Sequence, residues 1–207
     1  MRKVKFVSVL VLLALLLSAG PGAVMGQEPP PDWSDPEAVG ALVEELAAAG
    51  DDADELWAEL PPEAQTAVVA YLKPARAEPF VESRTVSEGD IHPLGAGCKE
   101  YTLGIDQYSA GGVWLWRYTQ KIWWCYDGSK ITAKIRDRWG ETHAYGWEFV
   151  GHVGNSESGG VGQSSYYAWT QGHFRLCLPG LGCIVHQYPW IWQRVYGNGN
   201  YEGDFGG

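Results

Sequence analysis

The sequence predicts an all-β fold, an antiparallel β-sandwich or small barrel, preceded by a short acidic α-helical segment. Three observations carry this reading. From Cys98 onward, runs of β-branched and aromatic residues alternate with Gly-, Pro- and Asn-rich turns, and no helical period appears. Asp127-Gly128 stands between two long β-rich runs, a strong local hairpin signal because a tight I′ turn needs positive φ at its centre. Four cysteines, an even number, follow an apolar leader, as expected of a disulfide-stapled exported domain.

Residues 1–26 have the composition of a signal peptide: Arg2, Lys3 and Lys5, then the apolar run Phe6 to Leu17, then small residues. The run is shorter than the roughly 20 residues a membrane span needs, and no second apolar span follows. Residues 27–74 form the acidic helical segment. Ser34 or Asp35 caps a helix with Pro36 at its first turn, and Val39, Leu42, Val43 and Leu46 recur at helical spacing up to Gly50. Short helices around Leu56 to Leu60 and from Pro62 to Leu72 complete a unit too small to be very stable alone. Residues 75–97, broken by Pro79, Gly89, Pro93, Gly95 and Gly97, read as a linker with one short strand around Phe80 to Val86.

Residues 98–207 form the β-domain. Lys99 to Asp106 is its first strand, and Gly112 to Trp139 is a long hairpin. With Asp127-Gly128 as a two-residue turn, Trp124 faces Ile131, Ile122 faces Ala133, Tyr118 faces Asp137 and Trp116 faces Trp139. The opposite face then collects Arg117, Lys121, Lys130, Lys134, Arg136 and Arg138, because side chains alternate along a strand. Strands follow at Thr142 to Val153, Ser164 to Leu178, Cys183 to Gln187 and Trp190 to Tyr196. Gly154 to Gly162 reads as a flexible loop, and Gly197-Asn198-Gly199-Asn200 opens a Gly-rich tail. The expected disulfides are Cys177–Cys183, around a Pro-Gly turn, and Cys98–Cys125. The spacings match no zinc pattern, and no metal or cofactor is expected.

The net charge of −10 is uneven. From Gln27 to Asp90 there are 16 acids and three bases, whereas Ile91 to Gly207 carries nine of each. The balance disfavours nucleic-acid binding, which needs a basic footprint. It also predicts an intramolecular contact, the acidic segment covering the basic hairpin face as a pro-region or cap, with Arg76 and Arg84 in the linker as cleavage points.

Trp124-Cys125-Tyr126-Asp127-Gly128, Gly151-His152-Val153-Gly154-Asn155, Thr170-Gln171-Gly172-His173-Phe174 and Tyr196-Gly197-Asn198-Gly199 resemble a family of small secreted proteins of Gram-positive bacteria. The resemblance spans roughly Cys98 to Tyr201 and omits the acidic segment. It implies export and a single β-domain, and supplies no catalytic residue.

Chemistry-bearing motifs are sparse. Among five histidines no pair has helical ligand spacing, although His152 and His173 lie on different strands that can meet. No nucleophile elbow or phosphate loop is present. Glu148, between Trp147 and Phe149, and Asp137, opposite Tyr118, are the candidate acids of a hydrolase; burial raises a carboxyl pKa, and glycoside hydrolysis needs two carboxyls about 5–9 Å apart. The stronger signal is aromatic. Nine of 11 tryptophans follow residue 110, and Trp190, Trp192, Trp169 and Tyr167 alternate with polar or small residues. Exposed rings beside amides and guanidinium groups suit sugar rings, whose C–H faces stack while their hydroxyls take hydrogen bonds. The function expected is extracellular binding without catalysis, with an envelope or environmental glycan as partner. The alternatives are a secreted hydrolase using Glu148 or Asp137 and a secreted antagonist, either a bacteriocin-like factor or an enzyme inhibitor. Export should remove residues 1–26, and N-terminal sequencing of the mature chain should begin at Gln27.

Overall fold

The computed structural model describes residues 31–86 and 96–207, so the signal-peptide reading lies outside the described residues. Two antiparallel sheets form the sandwich. The first is the meander β1 (Pro74–Val86), β2 (Gly97–Ser109), β3 (Trp114–Tyr126) and β4 (Ile131–Thr142). The second orders β5 (Trp147–Gly159), β6 (Ser165–Leu178), β8 (Trp190–Tyr196) and β9 (Tyr201–Gly206), with β7 (Gly182–Gln187) paired to β6. Facing side chains fill the space between them: Tyr101, Leu103 and Ile105 of β2, Trp116, Tyr118, Ile122 and Trp124 of β3, and Tyr166, Phe174, Leu176, Ile191 and Val195 across β6 and β8. Trp116 stacks on Phe174 with ring centroids 4.4 Å apart. Burying each such ring contributes roughly 1.5–3 kcal/mol.

Three helices precede the sheets: α1 (Pro36–Ala49), α2 (Ala53–Glu59) and α3 (Pro62–Tyr71). The Asp35 side chain accepts from Glu37 N, Pro36 occupies the first turn, and Gly50 ends α1 at φ 58°. The buried stripe Val39, Leu42, Val43 and Leu46 packs in one cluster with Ala64, Val68 and Leu72. These helices do not cover the basic hairpin face. They close one end of the sandwich, where Trp57 Nε1 donates to Pro179 O at 3.0 Å and Trp147 Nε1 donates to Leu72 O at 3.2 Å. Apolar burial and two satisfied indoles decide that position, because surface ion pairs are each worth only about 0–1 kcal/mol.

Both expected disulfides form, Cys98–Cys125 and Cys177–Cys183. Each joins directly opposed residues of neighbouring strands. In the chain-entropy model the first contributes about 3–4 kcal/mol and the shorter loop about 2.

Three expectations are corrected. The span 75–97, read as a linker with one short strand around Phe80 to Val86, holds that strand in a longer form: β1 pairs with β2 from Pro74 to Val86. It is an edge strand, where a missing N–H such as that of Pro79 is tolerated, and its mostly exposed residues hide any alternation. The Gly/Ser-rich stretch after Gly154 is also strand up to Gly159, paired with Tyr166 to Gln171. The third correction is the hairpin register. Asp127 Oδ1 accepts from Ser129 N and Lys130 N at 2.9 and 2.8 Å, and Asp127 N donates to Lys130 O, so the loop takes four residues. An irregularity at Cys125/Tyr126 completes the shift: Trp124 lies opposite Lys134, not Ile131.

An odd shift turns every side chain of β4 to the other face. Ile135 is therefore exposed, and Asp137 leaves the aromatic face for the outer one, opposite Lys121. Lys134, Arg136 and Arg138 turn inward. The Arg136 side chain is only 7% exposed. It donates to Gln120 Oε1 at 2.8 Å, Asn155 Oδ1 at 2.6 Å, Glu157 Oε1 at 2.8 Å and Trp169 O at 3.0 Å, which reaches β3, β5 and β6 at once. Glu157 also accepts from Tyr166 OH at 2.5 Å and Lys134 Nζ at 3.3 Å. The Tyr166 hydrogen bond, with Arg136 and Lys134, holds the Glu157 carboxyl down at about 2.

That depression gives stability present above the ordinary carboxyl pKa of 4.5 and lost as pH falls toward about 2. Urea midpoints measured across this window should fall steeply in the wild type and more shallowly in Glu157→Gln.

Candidate ligand-binding face

Strand β6 alternates buried and half-buried residues along its whole length. The buried set faces the core. The half-buried set, Tyr167, Trp169, Gln171, His173 and Arg175, stands on the outer face of the second sheet, and β8 adds Trp190, Trp192, Arg194 and Tyr196. Register aligns them: Tyr167 lies opposite Arg194, Trp169 opposite Trp192 and Gln171 opposite Trp190. The expected residues Tyr167, Trp169, Trp190 and Trp192 thus form one contiguous patch.

The rings lie low on the sheet because their neighbours are small. A Cβ on Gly154 would stand 2.5 Å from the Trp169 ring, and one on Gly206 would stand 2.6 Å from the Trp190 ring. Glycine on the flanking strands β5 and β9 lets both indoles spread over the backbone. Tyr167 and Trp192 have centroids 6.0 Å apart at 30°, and the Arg194 guanidinium sits 5.4 Å from the Tyr167 centroid. Arg194 and Tyr196 both engage Glu202, at 3.3 and 2.5 Å. Gln171 Nε2 donates to Tyr188 O at 3.2 Å. The result is an aromatic strip with an amide, a guanidinium and carboxylates along its margins.

Beyond Gln171 the strip continues into a cluster that sequence reasoning missed. His173 Nε2 and His186 Nδ1 are hydrogen-bonded at 2.9 Å, and Tyr188 stacks on His173 at 4.6 Å. Burial, then the neighbouring His186 and Arg175, lowers the His173 pKa. The Cys177–Cys183 pairing was the available signal, since folding β7 back on β6 brings His186 opposite Arg175, beside His173. His152 does not join them. Its Nδ1 meets Tyr118 OH at 2.9 Å at the edge between the sheets, where Tyr118 OH also meets Thr170 Oγ1 at 2.7 Å. Burial and then Arg138 lower the His152 pKa.

The two hydrolase candidates are not brought together. Glu148 lies on the second sheet opposite Arg175 and pairs with it at 2.7 Å. Asp137 lies on the first sheet, 3.9 Å from Lys121. Each is half exposed and set beside a base. No group of three or more His, Cys, Asp and Glu suited to a metal occurs among the described residues, and no helix there is long and apolar enough to cross a membrane.

Comparison with protein-family models, curated proteins and solved structures returns no match. The site's chemistry therefore rests on its own geometry.

Gly206→Val should displace the Trp190 ring while keeping the β9 backbone, whose extended φ a branched residue accepts. Near-UV circular dichroism should change and the far-UV spectrum should not.

Proposed function

We propose that this chain is a secreted, non-catalytic binding protein whose second sheet takes a glycan of the cell envelope or the environment. The observation that carries the reading is the strip itself: Tyr167, Trp169, Trp190 and Trp192 share one face, with rings spread over Gly154 and Gly206. Flat, low rings match the C–H faces of sugars, and the marginal Gln171, Arg194 and Glu202 offer donors and acceptors to hydroxyls. From Tyr167 to Gln171 the strip runs about 13 Å along the strand, so it suits an extended polymer better than a single enclosed ring. Two disulfides are consistent with an oxidising compartment, and the basic start with its short apolar run supports export.

The antagonist reading draws on the same face, since Trp, Tyr and Arg are also the residues that anchor protein interfaces. The hydrolase reading would need a second carboxyl beside Glu148 or Asp137, each of which faces a base instead.

Retention on a panel of insoluble polysaccharides separates these. The wild type should bind at least one, and Trp169→Ala, Trp190→Ala and Trp192→Ala should each weaken retention about tenfold, with unchanged thermal unfolding. Wild-type protein that binds no member of a broad panel would remove the glycan reading. A protein partner lost on the same substitutions would establish the antagonist.

A further inference from the structure

The outer face of the first sheet holds a second, differently built concavity. Register places Phe80, Gly104, Thr119 and Trp139 in one row across β1, β2, β3 and β4. Phe80 fills the space over Gly104, and beside it, above the small Thr119, a hollow of about 240 Å³ opens with Trp139 as one wall. The other wall is a stack: Phe80 lies flat over Gly104, the Arg117 guanidinium sits 4.3 Å from the Phe80 centroid and 4.9 Å from that of Trp114, and His143 stacks on Trp114 at 3.4 Å. Thr102 and Thr119 form the floor. Thr119 is fully buried, and its Oγ1 finds no hydrogen-bond partner among the described residues. A buried hydroxyl without a partner is uncommon and calls for an explanation.

Charge decides what the hollow favours. Both bases that line it are already neutralised. Arg117 donates twice to Asp106 at 2.6 Å, and Lys121 stands 3.9 Å from both Glu100 and Asp137. Glu100 is also paired with Arg84 at 3.0 Å. Two further lining acids remain. Glu82, on β1, has no ion pair among the described residues, and Glu141, on β4, has His143 at 3.9 Å and lies opposite Arg117, whose guanidinium is held by Asp106. Burial lowers the pKa of that imidazole. The hollow therefore combines a half-buried indole, a partnerless hydroxyl and carboxylates with no close ion pair of their own on opposite margins. Indole attracts cations through its ring quadrupole, and carboxylates accept charge-assisted hydrogen bonds from ammonium groups.

We propose that this hollow binds an amino-sugar oligosaccharide, one ring against Trp139 with a hydroxyl on Thr119, and the protonated amines of successive rings drawn to Glu82 and Glu141. The site is on the opposite sheet from the aromatic strip and does not depend on what that strip binds.

Calorimetric titration of the full chain with a soluble β-1,4-linked glucosamine oligosaccharide, at mildly acidic pH where its amines are protonated, tests this. The N-acetylated oligosaccharide, which has lost the charge, is the control. The charged ligand should bind more tightly than the control. Glu82→Gln combined with Glu141→Gln, both at exposed positions, should weaken it about tenfold, as loss of two solvent-exposed ion pairs implies. Trp139→Ala and the isosteric Thr119→Val should also weaken it, while Trp192→Ala on the other sheet should not. Equal affinity for the acetylated form, no binding of the charged form, or binding lost in Trp192→Ala and retained in Trp139→Ala would overturn the proposal.

Discussion

One buried guanidinium sets the geometry between the sheets. Arg136 projects from β4 into the edge of the sandwich and donates to β3, β5 and β6 together. A cation so little exposed is tolerated only where its donors are matched, because removing a partner from a buried ion pair typically costs 3–5 kcal/mol. Here Gln120, Asn155, Glu157 and Trp169 O match them, and Gln120 Nε2 goes on to donate to Ala168 O at 3.3 Å. The network holds β4 in one register. A shift by one residue would put Ile135 or Asp137 where the guanidinium belongs and leave Gln120, itself fully buried, without a donor. Hydrophobic burial makes the two sheets stack, and this set of polar contacts selects which of the possible stackings is native.

The outer faces follow from that choice. With Arg136 inward, Trp139 turns outward and stands beside Thr119, which creates the hollow on the first sheet. On the second sheet, β6 keeps its even-numbered residues in the core and frees Tyr167 and Trp169 to meet Trp192 on the surface. The two faces differ in kind. One is a flat aromatic strip spread over glycine, suited to surfaces and extended chains. The other is a small concavity with carboxylates at its margins. The helices take no part in either, since they seal the end of the sandwich through Trp57 and Leu72 and bring Trp147 into the core cluster.

The corrected expectations share a cause. Composition marked residues 75–79 and 154–159 as irregular, because Gly, Ser and Pro weaken local strand preference. Pairing with β2 and with β6 overrode that preference, since backbone hydrogen bonds to a neighbouring strand do not require β-branched side chains. In the same way, the charge difference between the halves of the chain suggested that the acidic segment would dock on the bases. Long-range attraction between exposed charges is weak, and the apolar stripe of α1 and α3 with the Trp57 indole decided the contact instead.

By itself the sequence determined the class of fold and the strands at β2, β3, β6, β7 and β8, and it favoured the two disulfide pairings and the patch of Tyr167, Trp169, Trp190 and Trp192 that the structure forms. These depend on alternation along a strand and on short loop closures, which are local and legible. Only the tertiary structure decided the β3–β4 register, the inward turn of Arg136, the pairing of His173 with His186, the separation of Glu148 from Asp137, and the hollow beside Trp139. Each of these depends on how the Asp127–Lys130 loop closes or on which strand lies beside which. A single residue of difference in a loop inverts a whole face, and the chain carries no local mark of it.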